Sequence, residues 1–321
     1  MSDEAKIQRI GCELRDGLVV VSLDLLSSLD GLIWLQSGKQ VGERFHQHQT
    51  TVSRNLKKCS EIFGLSFQKS SGQWSIDGDP KLLNLERKVH QCARFLQKAP
   101  LRLDISFCLD GPLVSPAPNG WLTGRSKNLG TPHSQDLLTT NIVDAWLCPL
   151  HEAPSEGEEL TIFHLCQLPL QLLVFPNHPL LKRVEFTLDQ VKEYPLEHIP
   201  PKAYPGTERM LQALDFSPLQ KTKKQTKQLG ARHQENASTL HLGSVLRHDQ
   251  DKPKLVPLPL HWSASTGVAL ITRREHSTTT AIRNLRTDLE QRLKDFQLMH
   301  PEVQLIGSTG NPPSPGLAGE G

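Results

Sequence analysis

The chain has 321 residues, a formal net charge of +2, 37% apolar and 22% charged residues, a length that suits about two domains and a composition that folds. No run approaches the roughly 20 uncharged apolar residues that cross a bilayer, so a membrane partner is not expected. The opening MSDEAKIQRIGCELRDG puts acids ahead of any apolar run, which argues against a secretory signal, and six scattered cysteines without a C-x-x-C pair predict a reducing, cytoplasmic setting.

In chain order, the first predicted element is an apolar helix over 23–35, carried by Leu25, Leu26, Leu29, Leu32 and Ile33. Ser37-Gly38 breaks it. A short helix over 39–45 sets Val41 and Phe45 four apart, the turn Gln47-His48 follows, and a third helix runs from about Gln49 to Phe63. There Val52, Leu56, Cys59 and Phe63 form one stripe, and Gly64 supplies a left-handed stop. Helices that meet through Val41, Phe45, Val52 and Leu56 make a helix-turn-helix, which offers the start of its last helix to the DNA major groove.

Between residues 39 and 69, six Lys or Arg stand against two Glu, a local excess of about +4 in a nearly neutral chain. The predicted contacts to double-stranded DNA are Lys39, Gln49, Thr50, Thr51, Ser53, Arg54, Lys57, Lys58 and Lys69. The lysines would neutralise phosphates, and Gln49 and Arg54 carry groups suited to bidentate base contacts. Leu65–Lys69 and Gln73–Ile76 flank Ser70-Ser71-Gly72 as two short strands, a hairpin placed as a wing. A solvated helix also carries basic residues; the apolar spacing, the turn and the hairpin together favour the DNA reading.

Next, Asp79 is a fitting N-cap and Pro80 a fitting first residue for one amphipathic helix over 80–98, closed by Pro100. Leu82, Leu85, Val89, Cys92 and Leu96 recur at spacings of three and four, with Lys81, Arg87, Lys88, Arg94 and Lys98 on the other faces. Periodicity leaves two packings open: the seam rests on its own domain, or it pairs with its twin in a dimer. Three heptads are short for an isolated coiled coil, so the second packing needs help from neighbouring domains.

The stretch VGERFHQHQTTVSRNLKKCSEIFGLSFQK resembles the LysR-type transcriptional regulators, whose motif runs roughly A-A-x-x-L-x-x-S-Q-P-A-V-S-x-x-I-x-x-L-E-x-x-L-G-x-x-L-F-x-R. Gln49, Val52, Ser53, Gly64, Phe67 and Lys69 fall at or near its places, and Phe45 and Leu56 supply its apolar positions. Val41-Gly42 replaces the alanine pair, His48 the capping serine, Thr50-Thr51 the Pro-Ala, and Cys59-Ser60 the Leu-Glu. The chain reads as a divergent member. The resemblance implies an α/β fold: a winged helix-turn-helix at 1–78, a linker and dimerisation helix at 79–99, and a two-lobed effector domain at 100–306 of the periplasmic-binding-protein-like (type 2) kind. It also implies a homodimer or tetramer and a small-molecule effector, and it favours pairing for the seam.

Further landmarks fit that expectation. Leu101, Leu103, Ile105, Phe107 and Leu109 alternate as a first strand, and LLTTNIVDAWLCPL (137–150) matches a helix end and a strand preceded by Asp144. LPLQLLVFPNHPLL (168–181) ends on His178-Pro179, TLDQVKEYPLEHI (187–199) reads as a short helix and strand, and residues 267–296 read as a returning strand and terminal helix. The segment 110–124 is too rich in proline for the helix expected beside the effector cleft. The effector residues expected from strand ends are Cys108, Asp110, Thr123 and Asp144.

No nucleophile elbow, Walker loop, dinucleotide glycine fingerprint or H-E-x-x-H motif is present, so neither enzyme activity nor a cofactor is expected. Cys148-x2-His151 and His164-x-Cys166 have zinc-ligand chemistry without a common structural-zinc spacing, so no metal is expected. The basic run 219–234 reads as a solvated surface or an auxiliary partner surface, and the tail 307–321 as disordered. Two alternatives stay open: an interaction adaptor on the same fold that has lost effector sensing, and a metal- or redox-responsive regulator using Cys148 and Cys166.

Overall fold

The computed structural model describes residues 21–70, 73–109, 111, 113–125, 129–155, 157–197, 199–216, 238–247, 255–260 and 264–306. The basic run at 219–234, the tail at 307–321 and Asp110 therefore lie outside the described residues. By contacts the chain divides into two units, residues 1–100 with 140–142, and residues 101–139 with 143–321.

The first unit is built around α1 (Leu23–Leu35), whose N-cap Ser22 accepts from Leu25 N at 3.2 Å. From Leu25 onward α1 is buried nearly all round, which makes it the central helix of the unit. Against it lie α2 (Gly38–Phe45) and α3 (Gln49–Phe63), with Val41, Val52, Cys59 and Phe63 buried and Phe45 and Leu56 half-buried. Gly64 ends α3 at φ 63°, a conformation glycine adopts without a Cβ penalty. Strands β1 (Ser66–Ser70) and β2 (Gln73–Asp77) pair antiparallel, Phe67 opposite Ile76 and Ser70 opposite Gln73.

Helix α4 (Lys81–Phe95) is shorter than the expected 80–98. Pro80 is its N-cap residue, Asp79 accepts from Lys81 N at 3.1 Å, and Gln97 turns left-handed at φ 60°, which ends the helix before Pro100. Two of the cations expected on its solvated faces are buried. Arg87, 2% exposed, donates from Nε to Asp30 Oδ1 at 2.8 Å, and Arg94 Nη2 donates to the Asn141 carbonyl at 2.8 Å.

The second unit carries a sheet in the order β11-β6-β10-β5-β3-β4. Here β3 is Leu101–Ile105, β4 Trp121–Gly124, β5 Ala145–Pro149, β6 Leu160–Pro169, β10 Ser265–Arg273 and β11 Gln304–Leu305. β3 runs parallel to β4 and β5, whereas β10 lies antiparallel between β5 and β6. All five residues of β3 are buried, Arg102 and Asp104 included, as a parallel strand covered on both faces requires. The first strand was expected to reach Leu109; instead Phe107–Leu109 coils into a 3₁₀ turn. Helices α5 (Gly130–Thr139) and α8 (Thr280–Gln297) also belong to this unit. As expected, no regular helix is seen among the described residues of 111–120.

A smaller sheet, β8-β7-β9, joins β7 (Gln171–Val174), β8 (His241–Gly243) and β9 (Val256–Pro257). Its apolar face packs with α6 (Leu188–Lys192) and α7 (Pro205–Ala213) in a core that includes Leu172, Val174, Val191, Leu211 and Leu242. His178 is fully buried: Nδ1 accepts from Leu180 N at 3.2 Å and Nε2 donates to the Ser238 carbonyl at 3.1 Å, which fixes the loop after β7.

Candidate functional site

On α3 the apolar stripe faces α1, so the remaining positions must face water. Gln49, Thr50, Ser53, Arg54, Lys57 and Lys58 are exposed and Thr51 is half-exposed; Lys39 on α2 and Lys69 on β1 are exposed as well. The first turn of α3 has no side-chain cap, because His48 makes none. Local contacts shape this face lightly: Lys39 lies 3.8 Å from Glu43 and Lys57 3.9 Å from Glu61, both highly exposed pairs of little strength. Lys69 sits 5.8 Å from the Trp74 ring centroid, and Trp74 N donates to Gln36 Oε1 at 2.7 Å, tying the hairpin to the end of α1.

Behind that face, Asn55 Nδ2 donates to Ser28 Oγ at 2.8 Å and Gln47 Nε2 to the Asp24 carbonyl at 3.1 Å, fixing the turn before α3 against α1. The buried Asp30–Arg87 pair joins α1 to α4. A lone acid on the apolar stripe of α1 was a signal for such a partner.

The outward face of α4 is apolar. Leu82, Leu85, Val89 and Leu96 are 55–71% exposed and Cys92 is exposed, while Leu83, Arg87, His90, Gln91 and Arg94 fill the buried face. The seam thus does not pack within its own unit.

A cleft opens in the second unit, at the carboxyl ends of β3 and β5, about 660 Å³ with the open solvent at its mouth included. Phe107, Leu168, Leu170, Ile199, Leu246 and Val268 give it apolar walls, and Ser106, His151, Glu152, Thr207, Ser244 and Thr266 its polar groups. His151 bridges the mouth of β10 to α7: Nδ1 lies 2.7 Å from Thr266 Oγ1 and Nε2 3.2 Å from Thr207 Oγ1. Burial lowers its pKa and the neighbouring Glu152 offsets this only in part. At Glu197, burial works against the charged carboxylate, but hydrogen bonds from Arg247 and His241 hold its pKa down to about 2.

Of the expected effector residues, Cys108 lines this cleft and Asp110 is not described. Thr123 and Asp144 lie elsewhere, which corrects that expectation. Asp144 precedes β5 and so sits at the wrong end of the strand; its Oδ2 accepts from Arg102 N at 2.9 Å and its carbonyl accepts from Thr272 Oγ1 at 2.9 Å. Thr123 lies inside the edge strand β4, opposite Leu103. Glu152, Thr207 and Thr266 were missed because residues so far apart in the chain leave no spacing signal.

Cys148, His151, His164 and Cys166 do not converge: Cys148 and Cys166 lie on β5 and β6, on either side of β10. Among the described residues no group of three or more His, Cys, Asp or Glu could hold a metal ion. Burial raises the pKa of Cys166 to about 12 and pushes that of Cys148 well above the ordinary thiol value, which disfavours the thiolate that a redox sensor needs. No helix among the described residues is long and apolar enough to cross a membrane.

No curated protein matches the chain in sequence. Among solved structures, a full-length OxyR variant from Pseudomonas aeruginosa is 17% identical at a TM-score of 0.46, covering 84% of this chain and 98% of its own. HinK, a LysR family transcriptional regulator from Pseudomonas aeruginosa, is 14% identical at 0.42, covering 85% and 98%. Full-length BenM is 15% identical at 0.41, covering 88% and 98%. The family described as LysR substrate binding domain matches residues 127–294, just over half of the chain. The chain belongs to that family, the effector-domain family of LysR-type transcriptional regulators.

Proposed function

We propose that the protein binds DNA sequence-specifically as a homodimer or tetramer and that a small molecule in the cleft of its second unit controls that binding. The observation that carries the DNA reading is the division of α3 into a buried stripe, Val52, Cys59 and Phe63, and an exposed polar face, Gln49 to Lys58, with an uncapped first turn. A first turn without a side-chain cap and exposed lysines suit phosphates, and Gln49, Ser53 and Arg54 suit base edges. Pairing through Leu82, Leu85, Val89, Cys92 and Leu96 would cover the apolar face of α4 and repeat α3 across a two-fold axis, as a palindromic operator demands. Effector binding would then bias one assembly geometry over another.

The experiment is selection of bound fragments from genomic DNA with the full-length protein, followed by gel shifts of the enriched fragments as salt is raised. A recurring near-palindromic sequence retained above non-specific DNA supports the reading. Equal retention of all fragments favours the adaptor alternative.

A further inference from the structure

The charges around the cleft point to the class of molecule it takes. A helix N-terminus, with its unpaired N–H groups and positive dipole end, is the ordinary seat for a carboxylate or phosphate. Helix α7 starts at the cleft, but that seat is filled from within the chain. Gly206 N donates to Glu152 Oε2 at 3.2 Å, and Thr207 N and Thr207 Oγ1 donate to Oε1, each at 2.6 Å. Thr131 Oγ1 completes the shell on Oε2 at 2.8 Å. The approach depends on Gly206, since a Cβ there would stand 1.8 Å from the His151 carbonyl oxygen.

The rest of the wall offers an anion hydroxyls but no cationic side chain in exchange. Among the described residues, no lysine or arginine lines the cleft. Arg247, whose guanidinium lies 5.6 Å from the Phe107 ring, is committed: Nη1 and Nη2 donate to the two Glu197 oxygens at 2.6 and 2.9 Å, and Nη1 also to the Leu242 carbonyl. His241 Nδ1 lies 3.0 Å from the same carboxylate. His151 is held between two threonine hydroxyls and is disfavoured as a cation by burial. An entering acid would meet the Glu152 carboxylate in surroundings of low dielectric, while the charge of Arg247 is spent on Glu197.

We propose that the cleft takes an uncharged, mostly apolar small molecule, hydrogen-bonded at one end by the hydroxyls of Thr266 and Ser244, and that it rejects carboxylates and phosphates. Its apolar walls, Phe107, Leu168, Leu170 and Val268 among them, suit a ring skeleton. This rests on reading the cleft as the effector site and deepens it.

The test uses calorimetry and thermal shift on the full-length protein with trios built on one ring skeleton: benzyl, cinnamyl and naphthylmethyl alcohols with the corresponding carboxylates and amines. Alcohols should bind at least about tenfold more tightly than their carboxylates and amines. Glu152→Gln should narrow the alcohol-to-carboxylate gap. Should that variant fail to fold, Thr266→Val keeps the internal acid and should weaken the alcohols about tenfold while leaving the carboxylates as they were. Carboxylates or amines that match the alcohols, or a panel in which no alcohol binds, overturn the proposal. Because these measurements contain no DNA, loss of operator binding with the charge preference intact would sink the regulator reading alone.

Discussion

The start of α3 and the start of α7 are the same physical object put to opposite uses. At α3 the first turn has no side-chain cap and faces water, and Lys39 on α2 and Arg54, Lys57 and Lys58 further along α3 are exposed. At α7 the first turn is buried and closed by the carboxylate of Glu152. On the function proposed above, the first is an open socket for an external anion; the second is an internal joint that binds β5's exit to α7 and leaves the cleft without a positive end. A helix start whose N–H groups are already held from within the chain, as at α7, has little left to offer a ligand, whatever its dipole.

Breaking the closed joint should have the largest effect. Glu152→Ala strands two buried N–H groups and two hydroxyls, and should cost about 3–5 kcal/mol, read as a fall in the denaturant midpoint. The other acid of the cleft gives a pH signature. Glu197 has a folded pKa of about 2 against an ordinary 4.5, so its contribution, about 3 kcal/mol, is fully present above pH 4.5 and is lost as pH falls toward 2. Acid unfolding of wild type against Glu197→Gln should show the steeper loss in wild type across that window.

At the open socket the effects appear in binding. Arg54→Ala should weaken operator binding by about 1–3 kcal/mol and relax preference at one base pair, read by competition gel shifts. His48→Asp should separate stability from function. An aspartate cap stabilises α3 by about 1 kcal/mol, read by thermal unfolding, yet should weaken DNA binding by setting a negative charge where a phosphate would lie. Smallest is Lys58→Ala, which should lower affinity evenly across sequences and reduce the slope of log K against log salt by about 1.

Much of this contrast was legible in the sequence, but unevenly. Helices α1 to α3 fall within about a residue of expectation, because Leu25, Leu29, Val52 and Cys59 report one periodicity and Gly64 one left-handed stop, whereas α4 ends three residues early. His48 as a poor cap was visible for the same local reason. The roles of Arg87 and Arg94 were not, since a cation on a helix reads as solvated until its partner is known, and Asp30 is 57 residues from Arg87. The cleft was the least legible part. Glu152 closes on Gly206 and Thr207, 54 and 55 residues away, a contact made by strand order and not by any local spacing. Asp144 was misplaced because being next to a strand does not say which end of it borders the crevice.

The central claim is that the exposed face of α3 reads DNA, and the most direct measurement is operator binding by the full-length protein and Arg54→Ala across a salt series. The account predicts salt-dependent, sequence-selective retention by wild type that Arg54→Ala loses while it still holds non-specific DNA. Retention with no sequence preference, or a variant that binds its operator as tightly as wild type does, would contradict it.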